Sequence, residues 1–499
     1  MRALSAAGQR TVTDSELAEL RSGFRGPLFR SGDSGYDGGS GPGRPGELYG
    51  RLLWNDRYAS GQPALIARPA TAADVAAIVN FARHGGWHPA VRGGGHSSAA
   101  HAESHNDILI DLSLMRSVHV DPRRRTVQVG GGATWWDVDR NTQLFGLAAI
   151  GGAIAHTGVG GLALGGGHGR LTRKYGMTAD SLVSAEVVTA DGEVHQVDAD
   201  TEPDLFWALH GGGGNFGVVT RLELRLYSVR DVWLDMCWWP ADQTQKIIGF
   251  WREWSRGQPP ELATSSIVVN APDNRGLDPS LVGRRFVIVT NLWHGDLEAG
   301  RARTRQIRDF AKPAVAFTRE TTYGQTQSMN DGIANADFGY RNYTRTSYLR
   351  DIDEAALATY ASWAPNQRSN SGLVELIAVD GPLNQVALSE SPLDARAARF
   401  NHIITAGWTD PAEDEAQVQW VDDFYAAMRP HYDAGIYLNY LDRGSDELVR
   451  EAYGRNWDRM RELKRRYDPG NLFRRNHNIP PAADEPTKAD EPTKKEASP

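Results

Sequence analysis

Cysteine is nearly absent from this chain. Cys237 is the single one in 499 residues. No intramolecular disulfide can form, so stability has to come from packing, and a reducing, cytoplasmic setting is the expectation. Within DMCWWP, Cys237 reads as a core strand residue rather than a reactive thiol. Excess basic charge is missing too. The 54 Lys and Arg stand against 62 Asp and Glu, a net charge of -8. Nothing here is a footprint for nucleic acid or an anionic membrane. Long apolar runs are also lacking. No stretch is long enough to span a bilayer, and MRALSAAGQRTVTDSELAEL at the start has no apolar centre of a secretory signal. The expected partners are small molecules, and the expected assembly is a monomer or a homodimer.

What the chain has instead is glycine, 53 residues of it, concentrated in one half. Residues 1–53 read as a short helical lead-in followed by the Gly/Ser/Pro-rich loop SGDSGYDGGSGPGRPGE. From 54 to 226 short strands (ILIDLS, TVQVGGG, SAEVVTADGEV) alternate with helices. TAADVAAIVNFARHGG is one of these, opened by Thr71 and Asp74 as a capping box and stopped at Gly85; TEPDLFWALH reads as another capped helix. From 227 to 430 glycine thins, and VWLDMCWW, SSIVVN, RFVIVTNLW and HIITAGW suggest an α+β domain on an antiparallel sheet. From 431 to 481, YLNYLD reads as a strand, and Ser445 to Tyr467 as one helix ended by Asp468-Pro469-Gly470. Residues 482–499 carry ADEPTK twice and are expected to be disordered.

Three glycine clusters fall in the first half: Gly93 to Gly95, Gly158 to Gly169, and Gly211 to Gly217. Successive amides in such turns form concave anion sites, and a diphosphate is the natural guest. One cluster alone would mean only tight turns. Three together favour a dinucleotide. The spacing does not fit a nicotinamide-type G-x-G-x-x-G followed by an acidic residue about 20 positions on.

The stretch VRGGGHSS, Val91 to Ser98, resembles the flavin loop of the berberine bridge enzyme-like FAD-linked oxidases, within the vanillyl-alcohol oxidase or PCMH superfamily. The stretches TGVGGLALGGGHGRLTRKYGMTADSLVSAEVVTADG, DLFWALHGGGGNFGVVT, YLNYLD and YGRNWDRMRELKRRYDPGNLFRRNHNIPP resemble the family in the same order. The middle domain matches loosely. One departure is the extra loop between Tyr36-Asp37 and Trp54-Asn55. The resemblance implies a two-domain α+β architecture: a PCMH-type FAD domain completed by the C-terminal segment, and a substrate domain whose sheet covers the flavin.

It also implies roles for residues. His96 would bond covalently to the 8α carbon of FAD; the plainer alternative is that it only hydrogen-bonds. Arg92, Gly93, Gly94, Gly95 and Ser97 would lie along the diphosphate and ribityl chain. Gly158, Gly160, Gly161, Gly165, Gly169, Gly217, Val218, Val219, Asn439 and Asn478 would complete the cofactor site. Ile154 fills the slot where doubly linked relatives carry a cysteine, so the flavin should be attached once. Thr157 would sit at the oxygen-reacting face and leaves oxidase versus flavin-N5-oxide oxygenase open. Tyr440 matches the catalytic tyrosine of Y-x-N-Y. A free phenol titrates near ~10, so as a base Tyr440 would need a cationic or hydrogen-bonding neighbour. The implied reaction is oxidation of a hydroxyl-bearing carbon, or an oxidative cyclisation, on a bulky natural product or a sugar, with O2 as acceptor. A flavin-binding protein without catalysis and a nicotinamide-dependent dehydrogenase are the rivals.

The remaining signals are weaker. His101 and His105 have no third metal ligand nearby in sequence and read as loop residues, so no metal is expected. His156 and His168 lie within the glycine motif and read as structural. Tyr343, Arg345, Asn401 and Tyr437 are substrate-pocket candidates. In a regular strand, Tyr437 and Tyr440 would point to opposite faces. The tryptophans Trp233, Trp238, Trp239, Trp293 and Trp408 read mainly as core, with stacking on a substrate as the alternative.

Overall fold

The structure, a computed structural model, describes residues 10–38, 50–273, 277–331, 340–444 and 446–483. Most of the Gly/Pro-rich loop and nearly all of the repeat-bearing tail lie outside the described residues.

Two sheets build the glycine-rich half. The first has four strands in the order Leu28–Phe29, Leu65–Ala67, Ile108–Asp111, Ala90–Arg92. The last three run parallel and Leu28–Phe29 pairs antiparallel. The N-terminal lead-in is therefore part of this layer rather than an appendage. Its helix Asp14–Gly23 has a capping box between Thr13 and Glu16. Leu17 and Leu20 pack in one core with Val75, Ile78 and Val79 of helix Ala72–Gly85. The second sheet is antiparallel, in the order Val118–Asp121, Thr126–Gly130, Val218–Arg225, Leu182–Val188, Val194–Val197. The TEPDLFWALH helix runs Pro203–Leu209 and starts on Pro203 with no side-chain cap.

The middle of the chain forms a seven-stranded antiparallel sheet: Val315–Thr322, Asp231–Pro240, Arg285–Trp293, Leu262–Asn270, Leu373–Ala378, Phe400–Trp408, Arg341–Leu349. Side chains alternate between its faces with period two. Trp233, Cys237, Trp239, Trp293 and Trp408 point to one face, where helices Thr244–Arg256, Leu297–Phe310, Glu354–Trp363 and Asp414–Met428 cover them. These tryptophans are core residues on the side away from the glycine motifs. Burial also pushes the Cys237 thiol up, helped by the adjacent Asp235 carboxylate. The other face carries Tyr348 and Ile377, which join the core of the glycine-rich half.

The C-terminal segment departs from the sequence reading in two places. YLNYLD is not a strand: Leu438–Tyr440 is a single 3-10 turn. Asn439 replaces ladder bonds by donating to the Leu162 carbonyl and the Tyr437 hydroxyl. The long helix is two, Asp446–Tyr453 and Trp457–Tyr467. The break falls at Gly454, whose φ of +46° and close approach to Asp394 leave no room for a side chain.

One buried cation ties this segment down. Lys464, fully buried, donates to the Asn215 carbonyl, the Phe473 carbonyl and the Asp468 carboxylate, the last at 2.6 Å. Asp468 in turn accepts from the amides of Leu472 and Phe473. Removing one partner of a buried pair leaves the other charge uncompensated. Lys464→Met should therefore lower unfolding free energy by about 3–5 kcal/mol in chemical denaturation. A loss below about 1 kcal/mol would show that the knot does not hold the segment.

Candidate active site

The glycine loops meet back to back. A Cβ on Gly94 would lie 2.3 Å from the Gly158 amide nitrogen, and one on Gly158 would lie 2.3 Å from that of Gly94. Gly93 and Gly160 both approach the Gly131 carbonyl. Only residues without a side chain permit this contact. Gly165 is closed by Asn439 and Gly169 by the Gly151 carbonyl. Around these closed points Gly93 to Ser97, Ile154 and Thr157 keep accessible surface. A side chain added to the exposed Gly161 would meet nothing within 4 Å. The motif thus makes a cradle whose floor is backbone.

His96 lies at one end of that cradle. Its ring stacks on Trp54 at 4.8 Å, and its Nε2 shares a 2.6 Å hydrogen bond with Nδ1 of His156. Burial, with the second imidazole beside it, holds the His96 pKa well below the ordinary value. The ring is therefore neutral at neutral pH, with a nitrogen lone pair available for bonding. Asn55, fully buried, donates to the Ser98 and Asn342 carbonyls and accepts from the Asn342 amide. It fixes the histidine loop to the edge strand of the large sheet.

Several expected site residues sit elsewhere. Arg92 is fully buried and turned away from the cradle; Asp111 holds its guanidinium at 2.6 Å, and the Leu52 carbonyl accepts from it. Gly217 packs against the Val188 carbonyl, and Val218 and Val219 are buried strand residues. Tyr343 and Arg345 lie on the helix-covered face of the sheet, both bound to Asp422. Asn401 is on the face toward the cradle but fully buried, its Oδ1 accepting from Thr346. His101 stands edge-on to His477 at 4.4 Å. No group of three metal-ligating side chains occurs among the described residues.

Tyr437 and Tyr440 do not diverge. The 3-10 turn brings their rings to 4.9 Å, edge to face. Tyr437 is buried; its hydroxyl accepts from the His168 amide and from Asn439. His168 in turn shares a 2.5 Å bond with the Tyr348 hydroxyl. Tyr440 is only partly buried. No cation stands among the influences on it. Burial, then Tyr437, then Glu375 push its pKa up. Glu375 is the residue that sequence reasoning missed. It lies on strand Leu373–Ala378, on the same face as Ile377, hydrogen-bonded to Ser265, and burial raises its pKa. Only the alternation of LVELIA hinted at its direction.

A "FAD binding domain" family model matches residues 63–198, and a "Berberine and berberine like" model matches 436–480. The (R)-6-hydroxynicotine oxidase of Paenarthrobacter nicotinovorans is 30% identical over 86% of this chain and 93% of its own length. The chain belongs to the berberine bridge enzyme-like family of FAD-linked oxidoreductases. The solved 6-hydroxy-D-nicotine oxidase from Arthrobacter nicotinovorans superposes with a TM-score of 0.77 at 26% identity, covering 91% of this chain and 98% of that one. Xylooligosaccharide oxidase from Myceliophthora thermophila, at 22% identity over 94% and 99% of the two chains, shares the fold with a TM-score of 0.79. The chain is accordingly an FAD-linked oxidase enzyme, and its large sheet is the α+β second domain of that architecture. Among the described residues no helix is long and apolar enough to cross a membrane.

The residues present fit FAD. The glycine cradle offers backbone amides without side chains over it. Two amide oxygens, Oδ1 of Asn476 beside the third glycine loop and Oδ1 of Asn478, are buried without a partner, and such atoms mark a missing donor.

A second buried carboxyl underlies the Ile154 loop. Asp139 is buried on helix Trp135–Thr142, and burial raises its pKa to about 8; Asp331 adds to the rise and Gln327 opposes it. The unfolded group titrates near ~3.9. The fold therefore favours the protonated form, and wild type loses stability as pH climbs from the lower value to the upper. The Tm advantage of Asp139→Asn over wild type should grow between about pH 4 and pH 8 and then level off. A difference independent of pH in thermal unfolding would contradict this.

Proposed function

We propose that this oxidase removes a hydride from a hydroxyl-bearing carbon of a bulky natural product, using FAD bound covalently through His96 alone, with O2 as the electron acceptor. The observation that carries the reading is that Glu375, on the sheet face that packs on the glycine-rich half, lies within electrostatic reach of Tyr440 on its 3-10 turn. When bound, FAD supplies the hydride acceptor and passes the electrons to oxygen.

The side chains divide the remaining work. Among the described residues no cation acts on Tyr440 to make it a phenolate, and its surroundings disfavour that form. It keeps its proton at neutral pH and orients the substrate hydroxyl by a hydrogen bond. Glu375, with a carboxyl raised above its usual range, takes the proton. His96 is neutral and can attack as a nucleophile, while His156 holds its ring in place. Ile154 presents an alkyl group where a thiol would be needed for a second bond.

Two measurements test these parts. A proteolytic digest of the holoenzyme should give a flavin-bearing peptide containing His96, and His96→Ala should release all of its flavin in acid. Flavin kept covalently by that variant would reveal a second link and overturn the reading of Ile154. In stopped-flow flavin reduction, Glu375→Gln and Tyr440→Phe should each slow the step by roughly 10²–10⁴-fold. The wild-type rate should rise with pH across an apparent pKa above the ordinary carboxylate range. That rise should persist in Tyr440→Phe and vanish in Glu375→Gln. If Glu375→Gln keeps the wild-type profile, Tyr440 is the base.

A further inference from the structure

Within electrostatic reach of Glu375 stands a cation with no partner among the described residues. Arg170 lies between the glycine motif and the short helix Thr172–Tyr175. Its Nε is buried without a partner, and among the described residues neither a hydrogen bond nor an ion pair engages the side chain. This sets it apart from Arg173, three residues on, which binds Asp380 and the carbonyls of Leu262, Ser255 and Gln258. The groups that reach Arg170 electrostatically are Tyr323 and Glu375. Tyr323 is fully buried, and its hydroxyl is a second unpartnered donor.

Two neighbouring donors thus lack an acceptor, and one of them carries a permanent charge. Arg170 is only partly buried, but a buried Nε–H without an acceptor is left desolvated, and an acceptor entering from the accessible side of the guanidinium would relieve that cost. The nearby carboxyls do not. Glu375 stands beyond ion-pair distance of Arg170, is bound to Ser265 and neighbours Tyr440. Asp139, behind Tyr323, is protonated at neutral pH because burial raises it to about 8. An oxygen anion would supply an acceptor to both donors.

We infer that Arg170 anchors the substrate, and that the pocket takes molecules carrying a carboxylate or similarly anionic oxygen group remote from the carbon that is oxidised. A planar guanidinium meets a carboxylate with two parallel hydrogen bonds, which orients the molecule as well as holding it. With the anion on Arg170, the other end of the substrate lies toward Glu375 and Tyr440. The inference rests on the reading of this pocket as the substrate site of the oxidase.

The test is titration of the holoenzyme with benzoate and with its neutral counterpart benzamide, followed by flavin absorbance. Benzoate should bind at least tenfold more tightly than benzamide. Arg170→Met should erase that preference, and Arg170→Lys should keep part of it. Equal binding of the two probes by wild type overturns the inference without need of any variant, as does absence of benzoate binding up to millimolar concentration. A preference that survives in Arg170→Met overturns it too. Flavin reduction by a panel of alcohols separates the two readings. Reduction without a preference for anionic alcohols removes the anchor and leaves the oxidase. Benzoate binding through Arg170 with no alcohol reducing the flavin does the reverse.

Discussion

Everything at the cradle depends on one ammonium group. Lys464 makes its bonds to Asn215, Phe473 and Asp468 from a fully buried position. Burial pulls its pKa down, and the Asp468 carboxylate works against that pull. From the last helix, the three bonds reach the third glycine loop, the residue that caps the helix and the turn that follows it. Asn215 then donates to the His477 carbonyl and accepts from the Ile479 amide. His477 in turn bonds the Leu438 carbonyl, so the turn bearing Tyr440 is fixed by a chain of contacts that starts at Lys464. The C-terminal segment is distant in sequence from the glycine motifs. This knot makes it part of the same rigid body.

The large sheet is registered to that body by different means. Asn55 binds the backbones of Ser98 and Asn342 through its side-chain amide, whose oxygen also caps the turn at Arg57. On the other flank Arg173 bonds to carbonyls of the middle domain and to Asp380, and Arg396 pairs with Asp180 at 2.8 Å. These are buried or nearly buried groups. Their contribution lies less in net energy than in excluding other arrangements of the two layers, since any sliding would leave them desolvated and unpaired. A hydride transfer needs reacting atoms held to a fraction of an ångström, and a sheet that floated on an apolar interface alone would not provide that.

The parts legible in the sequence are those made by backbone. Gly94 and Gly158 must be glycine because each occupies the space where the other's Cβ would be. Such a demand leaves a mark in sequence that survives without knowledge of the partner. Helix Ala72–Gly85 was legible for the same reason: Thr71 and Asp74 satisfy local backbone needs, and the left-handed cap falls on Gly86, one residue after the glycine taken as the stop. Arg92 was misleading because its place in the glycine loop says nothing of where a long side chain turns, and Asp111 on the neighbouring strand took it. Tyr343 and Arg345 failed by one step of the strand period. Their neighbours Asn342, Thr344 and Thr346 face the cradle, and no local feature of RNYTRTSYL states which face that is. The YLNYLD turn failed because a β-like composition becomes a strand only beside another strand. Here Leu162 and Tyr437 satisfy Asn439 instead.

Glu375 and Arg170 were hidden for a deeper reason. Neither belongs to a motif, and each acquires meaning only from what the fold puts opposite it. Glu375 sits mid-strand in an alternating run, where a carboxylate ordinarily marks the solvent side. The docking of the sheet on the glycine-rich half turns that side into an enclosed wall, and burial then raises the carboxyl. Arg170 directly follows a glycine motif that is closed by backbone, and only the unpartnered Nε and the nearby Glu375 and Tyr323 give its side chain a meaning. The chemistry assigned to the pocket therefore divides by origin. Backbone determines where a flat, phosphate-bearing cofactor can lie. On the proposed reading, a few charged side chains at the joining of two domains determine what can be brought against it.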